Sequence, residues 1–202
     1  NGYHQPQGGF AANAPTIAVP RYTTAQLQAL AAEAKVRGIR SAKNAIPSGS
    51  VLSGYYQSSA VYDILNSQNA SGETIRFSGQ TTLTIDGLVF IEGKLDLKGS
   101  FTLTGNGLLI CTEPITLGDN AKLWGNDASG LALVSLSSSA QAIRTSGSTA
   151  IRGLVFAPNG GIETGGNFQL EGALIAGKSA TLASPQIILP NNHSLGVLRA
   201  AL

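Results

Sequence analysis

Five short apolar runs recur from residue 87 onward: Gly87-Leu88-Val89-Phe90, Gly107-Leu108-Leu109-Ile110, Gly130-Leu131-Ala132-Leu133, Gly153-Leu154-Val155-Phe156 and Ala173-Leu174-Ile175-Ala176. They are spaced by 20, 23, 23 and 20 residues. Repetition at a short, near-fixed period marks architectures whose units are too small to bury their own apolar face and bury it against their neighbours. Between the runs lie alternating segments such as Lys94-Leu95-Asp96-Leu97-Lys98-Gly99, Ser100-Phe101-Thr102-Leu103-Thr104-Gly105 and Asn167-Phe168-Gln169-Leu170-Glu171-Gly172. Alternation sets apolar residues on one face of a strand and polar ones on the other, and each segment then turns at Gly. The longest self-match lays 88–110 on 154–176 at an offset of 66 to 67 residues, three turns of a coil.

A unit of this length with two or three strands and Gly corners predicts an all-β fold, a β-solenoid of about five to six rungs. At about 4.8 Å per rung the rod is roughly 25–29 Å long. Composition agrees. Gly accounts for 25 of 202 residues and charged residues for 12%, against a usual charged share of about 25%, while the apolar share is a full 43%. Such a chain favours many short strands and tight turns over long salt-laced helices.

Four segments follow from the pattern. Residues 1–22 mix Gly, Pro, Ala and Asn without period and read as an extended arm. Residues 23–72 hold a helical cap and a Tyr-rich lead-in, 73–190 the solenoid, and 191–202 a C-terminal tail. The helix, at 24–37, has full punctuation: Thr23 caps it, Gln26 completes a capping box, and Leu27, Leu30, Ala31 and Ala34 form one apolar stripe. Gly38 suits a left-handed stop, with Lys35 and Arg37 at the negative end of the dipole. A solenoid has open ends that template edge pairing. The helix is expected to cover the first rung, and Leu195, Val197 and Leu198 the other end. The chain opens at Asn1-Gly2-Tyr3-His4 without Met, and reads as a piece of a longer protein.

Catalytic chemistry finds little footing. The single cysteine, Cys111, sits in the apolar run 108–111 and reads as a buried, inert thiol; it excludes an internal disulfide and a Cys-based zinc site. His4 and His193 have no neighbouring acid, so a Ser–His–Asp site is not expected. The acids Asp86, Glu92, Asp96, Glu113, Asp119, Asp127, Glu163 and Glu171 are spread one or two per rung, rather than clustered as polysaccharide-cleaving β-helices require. Asp119-Asn120 and Asn126-Asp127 read as turns rather than a Ca²⁺ site. Neither a catalytic group, a cofactor nor a metal is expected.

Surface recognition remains. Net charge is +2, from 13 basic and 11 acidic residues, which excludes a polybasic binder but leaves room for a local patch. Counted from the start of its rung, Lys122 stands at +15 and Arg144 at +14 of the next, so stacking would bring the two together on one face. Lys94, Lys98, Arg152 and Lys178 add charge elsewhere, and Trp124 stands beside Lys122, where it would stack on a base. A second cluster, Lys35, Arg37, Arg40 and Lys43, is relieved by Glu33. The plainer account is that solenoid turns carry charge for solubility.

The runs Gly87-Leu88-Val89-Phe90-Ile91-Glu92-Gly93, Gly153-Leu154-Val155-Phe156-Ala157-Pro158-Asn159-Gly160 and Gly172-Ala173-Leu174-Ile175-Ala176-Gly177 resemble the β-solenoid region of type IV pilus accessory proteins of the minor-pilin or PilX-like class. The helix at 25–38 and Gly54-Tyr55-Tyr56 match what precedes that region. The resemblance implies an extracellular module at the cell surface, on or near a pilus tip, whose parent is anchored in the inner membrane before assembly. Other minor pilins are implied as partners. In competence minor pilins such a module is expected to capture extracellular double-stranded DNA for natural transformation, here without sequence specificity and through Lys94, Lys98, Lys122, Trp124, Arg144, Arg152 and Lys178. The alternative is a structural or adhesive tip module that binds another pilin or a surface glycan; a polysaccharide-acting enzyme is a third. DNA binding predicts a basic stripe along one face, an adhesin exposed aromatics in a shallow groove, and an enzyme converging carboxylates.

Overall fold

The computed structural model describes residues 23–37, 51–57, 62–64, 81–97, 99–126, 131–183 and 185–188. The expectations for the arm, Gly38, Lys98 and the tail lie outside these residues. Among them, one helix, α1 (Thr24–Arg37), precedes a β-solenoid of about five turns. Each turn passes through a long strand and then a short one. In chain order the strands are β1 (Val51–Gln57), β2 (Tyr62–Ile64), β3 (Thr81–Glu92), β4 (Leu95–Leu97), β5 (Phe101–Cys111), β6 (Ile115–Leu117) and β7 (Lys122–Gly125). Then come β8 (Leu131–Ser135), β9 (Ile143–Thr145), β10 (Ser148–Ala157), β11 (Ile162–Thr164), β12 (Asn167–Ala176), β13 (Ala180–Leu182) and β14 (Pro185–Ile188). The long sheet runs β1-β3-β5-β7-β10-β12-β14, with β8 continuing the line of β7 between β5 and β10; the short sheet runs β2-β4-β6-β9-β11-β13.

Every pairing is parallel and, apart from a shift between Leu52 and Gly54 of β1, keeps one register, so like residues stack. Leu83, Leu103, Leu123, Ile151 and Leu170 form one column of the long sheet, and Leu95, Ile115, Ile143 and Ile162 one of the short sheet. Both columns belong to a single buried cluster between the sheets. Each such side chain contributes about 1.5–3 kcal/mol on burial.

The long strands change character at a Gly bend. Before it, residues alternate buried and outward; after it, the recurrent apolar runs are covered on both faces, closely in β8 and β10 and by half in β12. Val89, Leu109, Leu133 and Val155 point into the core, while Phe90, Ile110, Val134 and Phe156 join a second cluster on the outer side. A continuous apolar run is what a strand buried on both faces needs. At the bend a side chain has no room: a Cβ on Gly172, at φ +149°, would lie 1.8 Å from the carbonyl oxygen of Gly153.

The helix matches its expected bounds and cap. Thr23 N–H donates to Gln26 Oε1 at 2.8 Å, and Gln26 N–H donates to Thr23 Oγ1 at 3.3 Å. Its stripe of Leu27, Leu30, Ala31 and Ala34 packs on the outer cluster, against β1, the first strand of the long sheet, and β3. β1 and β2, in the Tyr-rich lead-in, pair with β3 and β4, so the coil starts before residue 73.

The sequence alignment of the runs is off by one at two places. Leu108 pairs with Ala132, not Leu131, and Leu154 with Ala173, not Leu174. A slip of one residue exchanges the two faces of a strand. The observed register turns Leu131 and Leu133 into the core and leaves the small Ala132 and Ala173 outside.

Candidate functional site

Ahead of the Gly bend, the outward residues of the long sheet form straight columns. Thr102, Lys122, Ala150 and Gln169 make one; Thr104, Trp124, Arg152 and Glu171 make the next. Their inward neighbours Leu103, Leu123, Ile151 and Leu170 are buried, which fixes these side chains outward.

The second column builds an aromatic platform. The Arg152 guanidinium lies over the Trp124 ring, 5.7 Å from its centroid, and Arg152 Nε donates to Glu171 Oε1 at 3.1 Å. Three successive turns thus form a chain, Glu171–Arg152–Trp124, that holds the indole in place while leaving it 44% exposed. In the first column, Ala150 places a methyl between the longer Lys122 and Gln169. The resulting dip has a volume of about 410 Å³ and is edged by Asn120, Lys122, Ser148, Ala150, Asn167 and Gln169. Its rim offers amide and hydroxyl groups of both hydrogen-bonding senses plus one ammonium.

The other basic residues lie elsewhere. Arg144 is on β9, in the short sheet, stacked between Thr116 and Glu163, whereas Lys122 is on β7 of the long sheet between Thr102 and Ala150. The expected pairing of Lys122 with Arg144 on one face is therefore corrected: they belong to different sheets of the same turn. Counting from the Gly runs fails because seven residues lie between Ser135 and Ile143, where three lie between Cys111 and Ile115. The extra Ser-rich segment is pinned by successive two-residue turns. The N–H groups of Ser137, Ser139 and Gln141 donate to the hydroxyls of Ser135, Ser137 and Ser139.

Arg144 faces Glu163 at 3.6 Å, and the same carboxylate accepts Gln141 Nε2 at 2.7 Å. Lys178, between β12 and β13, donates to the Ser138 carbonyl. Lys94, ahead of β4, is half-buried. Of the seven nominated residues, Lys122, Trp124 and Arg152 come together. Gln169, Asn120, Asn167 and the positioning carboxylate of Glu171 were missed. The available signal was the outward positions of the alternating segments, legible once Leu123, Ile151 and Leu170 are laid in one column.

Cys111 is fully buried, and burial pushes its thiol well above the ordinary value. Asp119 adopts a left-handed conformation, φ 56°, and its Oδ2 accepts Gly99 N–H at 3.0 Å, the turn role read from the sequence. Among the described residues, no three His, Cys, Asp or Glu side chains gather as a metal site would require. The outer face of the long sheet offers stacking and hydrogen bonding.

Residues 31–188 match the model of a family described as a domain of unknown function, DUF7305. No curated protein matches the chain, and no solved structure does.

Proposed function

We propose that this chain, which belongs to the DUF7305 family, is a non-enzymatic recognition module displayed outside the cell, on or near a pilus tip as its resemblance to minor pilins implies, and that it adheres to a surface glycan through the outer face of its long sheet. The observation that carries this is the exposed indole of Trp124, fixed by Arg152 and Glu171, beside a shallow groove rimmed with amides and hydroxyls. Sugars present hydroxyls along their edges and C–H groups on their faces, and such a surface meets both.

Capture of extracellular DNA is the weaker of the two readings. Backbone binding needs several cations aligned on one surface, each neutralising a phosphate. Lys122 and Arg144 lie on different sheets, and Arg144 and Arg152 each face a carboxylate. The platform and groove therefore carry little net positive charge. Docking of another minor pilin is a further reading; the groove's rim is polar, whereas the fully buried core of a protein interface is more apolar.

Electrophoresis of the chain through gels containing surface polysaccharides, beside a gel shift with random-sequence duplex DNA, separates the two leading readings. Adhesion predicts retardation by polysaccharide that persists at moderate salt and is lost in Trp124→Ala, with no DNA shift at moderate salt. A DNA shift that fades with salt, without retardation by any polysaccharide, would overturn the glycan reading in favour of DNA capture.

A further inference from the structure

We infer that the groove selects an acidic polysaccharide, with Lys122 taking the sugar carboxylate and Trp124 stacking the neighbouring ring; the inference rests on the adhesive reading above. The charges on this face are unequal in availability. Arg152 is committed to Glu171 at 3.1 Å and to the indole. The ammonium of Lys122 has no hydrogen bond or ion pair among the described residues, yet it edges a groove whose other rim groups are the neutral Asn120, Ser148, Asn167 and Gln169. A purely neutral sugar would leave that cation unanswered, and a polyanion of phosphates would find, among the described residues of this groove, a single cation to meet. A chain with carboxylates spaced among hydroxyls fits one cation among amides, and a charge-assisted hydrogen bond is stronger than a neutral one.

The column geometry fixes how the chain lies. Lys122 and Trp124 are two residues apart on one strand and face the same way, so their side chains emerge about 7 Å apart. One sugar thus sits in the dip over Ala150 with its carboxylate at Lys122, and the next lies against the indole. The small Ala150 makes the dip, since a longer side chain there would level it with Lys122 and Gln169.

Fluorescence anisotropy of labelled polygalacturonate and of its fully methyl-esterified form provides the test, with hyaluronan, dextran and duplex DNA as further probes. The expected result is saturable binding of polygalacturonate or hyaluronan. For the polymer bound, removing the carboxylate charge by esterification weakens binding about tenfold or more. Lys122→Gln should bring acid and ester to the same affinity, and Ala150→Gln should abolish binding of both; each changes an outward side chain and leaves the core untouched. Equal binding of acid and ester, or of dextran alone, overturns the carboxylate assignment while the adhesive reading stands. Binding of DNA alone, or of none of the probes, overturns the assignment, and the former also overturns the adhesive reading.

Discussion

At the residue scale, the stacked columns make single atoms decisive. Thr145 is buried on the short sheet, 2% exposed, and its hydroxyl has no hydrogen-bond partner among the described residues. An unpaired buried hydroxyl costs about 1–3 kcal/mol, so Thr145→Val should raise stability by about 1 kcal/mol, read as a higher urea midpoint with unchanged slope. Gly172 shows the reverse constraint. With a Cβ 1.8 Å from the Gly153 carbonyl, Gly172→Ala should cost about 3 kcal/mol or more in the same measurement. Cys111 should resist alkylation at neutral pH in the folded protein and react once urea unfolds it, because burial both hides the thiol and keeps it protonated. The burial of Cys111 was legible in its apolar run; the solitary hydroxyl of Thr145 was not, since only stacking reveals which polar residues face inward.

The elements divide between those written locally and those written by insertion. Helix α1 was legible from Thr23 to Arg37 because its signals, the Thr23–Gln26 box and a stripe at helical spacing, lie within a few residues of one another. Thr23→Ala removes one side of that box and should weaken the helix by about 1 kcal/mol, seen as faster hydrogen exchange in its first turn with the solenoid amides unchanged. The turn of β7, β8 and β9 was less legible. Its long strand is split into β7 and β8, and the Ser-rich segment lengthens the passage to β9, so position in the period no longer reports position in space. That is why Lys122 and Arg144 counted alike and stand on different sheets. Arg152, expected elsewhere on the rod, instead stands beside Trp124, because β7 and β10 pair residue for residue ahead of the bend.

The whole molecule is close to one-dimensional. Every described strand pairs only with strands of the neighbouring turns, so stability is close to a sum of turn and interface contributions, and the described terminal strands pair on one side alone. Among the described strands, amides of β5 and β10 should exchange slowest and those of β14 fastest. The same stacking gives the long sheet a rigid outer face on which Glu171, Arg152 and Trp124 are aligned before any ligand arrives. Trp124 is the only tryptophan in the chain, so intrinsic fluorescence reports on that face and nowhere else. The most direct measurement is a titration of the folded chain with the surface polysaccharides it retains, following tryptophan emission. Adhesion through this face predicts a saturable change in emission with the same midpoint as binding measured independently. Binding that leaves the emission of Trp124 unmoved would contradict it and place recognition elsewhere on the rod.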